Sequence, residues 1–406
     1  MKKYSVFWAL ALCILIMAFT ACGGDVVETL GPAKGYDDFL GLWVAQNSNY
    51  TFTGNSFTYR DDFGDYWPGT FTFTNTQITF TPQQANTWEE FTLAYRVSEV
   101  TLELTGPYGI RSGTFARQPE PVFVSANPVK GFNYGYYYYV PATVKKSTYL
   151  LVETNNTGSV NDDINVHAQS AYNNINFLRT FADELGVVLL VPVFPRPAST
   201  WQMYTHALDR DTLQNNTGSL ARIDLQLIQM IDDLRERCQT RRIKAASKVL
   251  LNGFSASGNF ANRFTAIHPG RVQAVAAGGV NCMPILPANT LADENLIYPI
   301  GIYDIGTITG TAFNLAAYKT VPQYIFMGAL DTNDTLPFDD AFSNQERTII
   351  KKVLGENMQG RWEPSIAVYK AQGCSAVTFV KYPGVGHEYT EQIKKDLINF
   401  FRSNIR

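Results

Sequence analysis

The chain has 406 residues, 45% of them hydrophobic and 17% charged, with a formal net charge of −3. That length and apolar share bury more than one sizeable core and exclude a disordered tail, linker or fibre, and at roughly 150 residues per domain they suggest two or three domains. The small net charge gives no electrostatic reason to expect nucleic acid.

Export is written first. Lys2 and Lys3 precede an apolar run from Tyr4 to Met17 that closes on small residues, the layout of a signal peptide over 1–21. Phe19-Thr20-Ala21-Cys22 resembles a bacterial lipobox, with Phe19 where leucine is usual. The resemblance implies lipidation of Cys22, anchorage to a bacterial membrane or cell surface, and a tether over 22–35 that begins Gly23-Gly24. The alternative is an ordinary secretory signal or a membrane anchor. No later run reaches the ~18 apolar residues of a membrane span. Cys238, Cys282 and Cys374 can form at most one pair and show no zinc-ligand spacing, so no metal or organic cofactor is expected.

Residues 36–118 form a module crowded with aromatics and threonines, as in Thr70-Phe71-Thr72-Phe73-Thr74 and Ile78-Thr79-Phe80-Thr81. This alternation is the period of half-buried strands, and Gly54-Asn55, Pro68-Gly69 and Gly106-Pro107 supply turns. A small antiparallel barrel or sandwich is expected. Its opening Gly41-Leu42-Trp43 and closing Gly113 to Arg117 resemble the lipocalin-like modules of bacterial lipoproteins. The interior is expected to be filled by its own Phe and Trp side chains, with ligand binding as the alternative.

Residues 119–406 switch to short β-rich runs alternating with amphipathic stretches. The runs include 149–152, 187–191, 249–251, 272–275, 324–326 and 377–380, and the helical stretches span Ala171 to Leu185, Leu220 to Cys238 and Glu391 to Arg402. Such alternation gives an α/β domain with a doubly wound, mostly parallel sheet, whose ligands bind at the carboxyl ends of the strands. The tyrosine run Tyr134 to Val140 reads as an early antiparallel strand with its rings packing at an edge.

The most informative stretch is Lys248 to Gly258, a strand entering Gly253-Phe254-Ser255-Ala256-Ser257-Gly258 and then a helical segment. It resembles the nucleophile elbow of the α/β-hydrolase superfamily, with Ser257 where the second glycine usually stands. Ser255, two residues after Gly253, is the expected nucleophile. Four histidines are available as base. His268 lies 13 residues beyond Ser255, about 20 Å along a helix, and His167 reads as a cap or surface residue. His387, in the glycine loop Tyr382 to Glu388 after the last strand, is the expected base. The superfamily order serine, acid, histidine then implies Asp331 in Gly328-Ala329-Leu330-Asp331, with Asp334 as runner-up.

The backbone N–H of Ala256 is the first oxyanion donor the resemblance implies, and Asn155 or Asn156 is a candidate second donor, with turn formation as the alternative. In the irregular segment from Pro192 to Asp211, Trp201 and Tyr204 are expected as pocket walls and His206 near the chemistry; the alternative is a loop simply braced by Arg210 with Asp209 or Asp211. Asn161-Asp162-Asp163 reads as a turn. Together these features point to a serine hydrolase using a Ser255, Asp331, His387 triad. Its expected substrate is a small-molecule or polymeric ester cleaved through an acyl-enzyme, and the layout resembles secreted polyhydroxyalkanoate-depolymerase-like and feruloyl-esterase-like enzymes. A serine peptidase or a catalytically silent surface binding lipoprotein are the alternatives.

Overall fold

The computed structural model describes residues 31–405 apart from 64, 84–88, 99–100 and 146. Cys22, the leader and residues 22–30 of the tether lie outside the described residues. Among the described residues no helix is long and apolar enough to cross a membrane.

The aromatic module is a closed antiparallel barrel of eight strands in chain order. These are β1 (Gly41–Val44), β2 (Ser48–Thr53), β3 (Ser56–Asp61), β4 (Tyr66–Phe73), β5 (Gln77–Pro82), β6 (Phe91–Val97), β7 (Thr101–Thr105) and β8 (Gly113–Gln118). β1 pairs with β8, Trp43 opposite Arg117, so the sheet has no free edge. Period-2 patterning sends every second side chain of β6 inward, namely Phe91, Leu93, Tyr95 and Val97. Trp43, Tyr50, Phe52, Phe57, Tyr59, Phe71, Phe80 and Phe115 are each at most 2% exposed, so the interior is packed with the module's own rings. The Trp43 indole donates to Phe39 O at 2.6 Å, which satisfies its one polar atom.

The second unit is an eight-stranded sheet with β9 (Val122–Val124), β10 (Tyr136–Tyr139), β11 (Leu150–Glu153), β12 (Val188–Pro192), β13 (Val249–Phe254), β14 (Val272–Gly278), β15 (Gln323–Gly328) and β16 (Val377–Tyr382). The spatial order is β16-β15-β14-β13-β11-β12-β10-β9. β10 alone is antiparallel to both of its neighbours. Six longer helices cover the faces: α1 (Ile164–Leu185), α2 (Ile223–Thr240), α3 (Ala256–Ile267), α4 (Asn344–Leu354), α5 (Met358–Ala371) and α6 (Glu391–Asn404).

Strand parity sorts the core. Leu151, Leu189, Val191, Leu250 and Ala276 face α1 and α6, while Leu150, Val152, Leu190, Leu251 and Ala277 face the side of α2 to α5. This strand order with helices on both faces is the doubly wound, mostly parallel layout expected from the sequence. α1 begins seven residues before the expected Ala171 because Asp163 caps it, accepting from Asn165 N at 2.9 Å. The tyrosine strand lies second from the edge. Tyr136 donates to Asp233 of α2 at 2.6 Å and Tyr139 to Asp183 of α1 at 2.7 Å, so the run clasps a helix on each face.

Candidate active site

The strand-to-helix turn at Ser255 follows from two glycines and their contacts. β13 ends at Phe254, α3 starts at Ala256, and Ser255 between them sits at φ 64°, ψ −127°, a region that costs a non-glycine residue about 1–3 kcal/mol. A Cβ on Gly253 would come within 2.1 Å of Ser257 O, and one on Gly258 within 2.2 Å of Gly278 O. The glycine needed where the helix crosses β14 is therefore Gly258, which leaves room for a side chain at 257. Ser257 is 1% exposed and its Oγ is 2.8 Å from both Phe254 N and Phe254 O. It ties the turn, and Ser255 holds the outward position.

The acid and histidine loops lie backbone against backbone. A Cβ on Gly328 would meet Val385 O at 2.2 Å, and Leu330 N donates to Val385 O at 2.8 Å. This approach brings Asp331, 1% exposed, to His387, with Oδ2 accepting from Nδ1 at 2.8 Å. Asp331 Oδ1 accepts from Asn333 N at 2.9 Å, which locks the carboxylate plane. The His387 ring lies on Phe254, with 4.8 Å between centroids, beside Gly279 at φ 53°, where a Cβ would come within 3.1 Å of His387 Cε1. The histidine therefore leans over the residue preceding Ser255. Asp334 is elsewhere: it pairs with Arg361, a fully buried guanidinium that also donates to Cys282 O at 3.1 Å.

Two asparagines that sequence reasoning passed over touch Ser255 and His387. Asn281 donates from Nδ2 to Ser255 Oγ at 3.2 Å, and Asn333 donates from Nδ2 to His387 Nε2 at 3.0 Å. With Nδ1–H given to Asp331, Nε2 is the unprotonated nitrogen, the tautomer a general base requires. No hydrogen bond joins Ser255 to His387; each is held by its own amide, a loose arrangement common before substrate binds. Both asparagines sit singly in loops where no periodicity marks them.

Ala256 N–H opens the first turn of α3 next to Ser255, where the helix dipole favours negative charge. The candidate second donors are placed differently. Asn155 is buried, its amide donating to His167 O at 3.1 Å and its Oδ1 accepting from Ser170 and Asn174. Asn156 donates to Phe254 O at 3.3 Å. Both side chains therefore hold the loop beside the elbow, and neither amide touches Ser255.

The irregular segment departs from expectation at several positions. Trp201 is 45% exposed. Tyr204 is buried beneath Arg196, whose guanidinium lies 3.7 Å from its ring centroid. His206, expected near the chemistry, is enclosed. Its Nε2 lies 2.7 Å from Phe194 O, its ring packs against His167 at 5.7 Å, and burial pushes its imidazole down to about 3. His167 is likewise buried rather than superficial, 2.9 Å from Asn161 O. Arg210 pairs with Asp304 at 2.6 Å instead of its chain neighbours, and Asp209 caps the short helix Arg210–Gln214. Arg196 ties Asp340 to Gly158 O, joining the loops that follow β11, β12 and β15. Asp162 accepts from Ser199 at 2.8 Å and Asp163 caps α1, so the acidic pair are loop braces. Among the described residues no group of acidic, histidine or cysteine side chains could hold a metal, and the three described cysteines are free and buried.

The chain matches no protein-family model and no curated protein sequence. Solved structures similar to it include poly(aspartic acid) hydrolase-1 from Sphingomonas sp. KT-1, 17% identical over 70% of this chain and 98% of that one, TM-score 0.48. A poly(3-hydroxybutyrate) depolymerase from Bordetella parapertussis is 15% identical over 66% of this chain and 84% of that one, TM-score 0.44. An acetyl xylan esterase from Aspergillus awamori is 14% identical over 70% of this chain and 99% of that one, TM-score 0.37.

Proposed function

We propose that the protein is a serine hydrolase that cleaves carboxylic esters through an acyl-enzyme formed on Ser255. The observation that carries this reading is a serine at φ 64° on a strand-to-helix turn, next to Phe254, whose ring packs on a histidine with its Nδ1 held by a buried carboxylate. In the proposed cycle, substrate entry displaces the amides of Asn281 and Asn333. His387 Nε2 then takes the Ser255 proton as Oγ attacks the carbonyl carbon, and Asp331 stabilises the imidazolium. The oxyanion meets Ala256 N–H at the positive end of α3. His387 returns the proton to the leaving alcohol, and water repeats the sequence to free the acid.

The proposed substrate is a small-molecule or polymeric ester. A peptidase would use the same triad, so substrate panels separate the two. Turnover of short-chain p-nitrophenyl esters by wild type, abolished in Ser255→Ala, supports the esterase reading. Cleavage of peptide p-nitroanilides without ester turnover would replace it with a peptidase, and no turnover of either would leave a binding protein. We further propose that Cys22 carries the lipid that anchors the enzyme at a membrane or cell surface.

A further inference from the structure

The departure at position 257 leaves a hydroxyl buried under the nucleophile turn, and its partners require a proton count. Ser257 Oγ has three polar neighbours: Phe254 N at 2.8 Å, Phe254 O at 2.8 Å and Glu153 Oε1 at 3.1 Å. Glu153 ends β11, is 6% exposed, and accepts from Asn252 Nδ2 on β13 at 2.6 Å through its other oxygen. Phe254 N–H donates to Ser257 Oγ, and the serine has one proton to give. Were Glu153 ionised, Phe254 O and Glu153 Oε1 would compete for that proton and one oxygen would face Oγ without a hydrogen. A proton on Oε1 supplies both contacts. Glu153 then donates to Ser257 Oγ, and Ser257 donates to Phe254 O.

We infer that Glu153 works as a neutral carboxylic acid whose O–H holds Ser257, and through it the Phe254 to Ser257 turn that presents Ser255. The inference rests on the serine-hydrolase reading. Glu153 is a positioning residue: it acts on Ser255 only through Ser257 and the Phe254 backbone. Its surroundings fit a neutral acid. From β13 it meets the uncharged Asn252, from α3 the hydroxyl of Ser257, and from the loop after His387 the tyrosine Tyr389, whose hydroxyl is raised by burial and then by Glu153. Among the described residues no cation pairs with it. Burial pushes its carboxyl up to about 8. Deprotonation turns a donor into an acceptor and unbalances the turn.

The test compares wild type, Glu153→Gln and Glu153→Leu in kcat and KM for p-nitrophenyl butyrate between pH 6 and 9.5, with Tm at pH 5 and pH 9. Wild-type kcat should fall on the alkaline side with a midpoint near the carboxyl value of about 8. Glu153→Gln, whose amide donates to Ser257 and accepts from Asn252, should keep kcat within about threefold at pH 7 and lose that alkaline fall. Glu153→Leu should lower kcat at least about tenfold with KM little changed. Should the leucine variant not fold, the glutamine variant carries the test alone. Because the folded carboxyl is raised, its stabilising effect is full below the unfolded value of about 4.3 and is lost as pH rises through the folded one. Tm should therefore drop more between pH 5 and pH 9 in wild type than in Glu153→Gln. An unchanged alkaline fall together with an unchanged Tm difference in Glu153→Gln would overturn the inference. If wild type turns over no ester, the hydrolase reading fails, and the Tm comparison still decides the state of Glu153.

Discussion

Replacing Asp331 by asparagine isolates what the buried carboxylate does. The two side chains are nearly isosteric, so the change should leave the loop intact: Oδ1 can still accept from Asn333 N, which lies 2.9 Å away in wild type. The atom facing His387 Nδ1 at 2.8 Å becomes an amide nitrogen. Two N–H groups cannot point at each other, so the imidazole moves its proton to Nε2 and presents no acceptor to Ser255. The Asn333 amide, 3.0 Å from Nε2, then also faces a donor and must turn away. The same exchange in the chymotrypsin-type triad lowers kcat about 10⁴-fold, and a loss of that size is about 5.4 kcal/mol of transition-state stabilisation. The assay is kcat for a p-nitrophenyl ester at neutral pH, with Tm to show that the protein is folded. Asp334→Asn is the internal control. It leaves the buried Arg361 charge uncompensated, so it should lower Tm while sparing kcat per folded molecule. An Asp331→Asn enzyme within tenfold of wild type would refute the reasoning, and a dead Asp334→Asn beside it would move the acid.

Three further outcomes follow from the packing and the leader. Gly258→Ala places a methyl 2.2 Å from Gly278 O, so α3 must shift off β14; ester turnover should fall at least about 100-fold, and a fully active variant would show that the helix crossing is not tight. Trp43→Ala removes a fully buried indole from the barrel core and should destabilise that module by about 3–5 kcal/mol; scanning calorimetry should show one transition lowered, while ester turnover by the hydrolase unit persists. Cys22→Ala should shift the chain from the membrane fraction to a soluble or uncleaved form, and unchanged detergent partitioning of a correctly processed variant would remove the proposed anchor.

What the sequence made legible were features with short range and strict geometry. Gly253, Ser255 and Gly258 stand within six residues, and close backbone contacts leave few alternatives at the glycines. Asp331 and His387 were found through chain order around glycine loops. Alternation of Thr and Phe announced the barrel strands, although closure depends on β1 meeting β8, a pairing across some 70 residues that no local pattern encodes. His167 was read as superficial for the same reason: its burial in α1 comes from distant chain, with Asn161 O and Arg196 N against its Nε2. α4 carries a capping box from Ser343 to Glu346 that was available to reading. α5 was harder to see, because it contains Pro364 and buries Arg361, Trp362, Ser365 and Tyr369 without a single apolar stripe. Asn281 and Asn333 carry no sequence mark at all, since an asparagine in a loop is most often a turn former.

The central claim is that Ser255 is the nucleophile of an ester-cleaving triad, and the most direct measurement is site mapping of a fluorophosphonate adduct. Incubation of the protein with a fluorophosphonate ester, followed by peptide mass spectrometry and residual esterase assay, should yield one phosphonyl group on Ser255. Turnover should be lost in proportion to labelling, and no adduct should form in His387→Ala, where Oγ lacks its base. Modification at Ser257 or another serine, or ester turnover that survives complete labelling, would contradict the account.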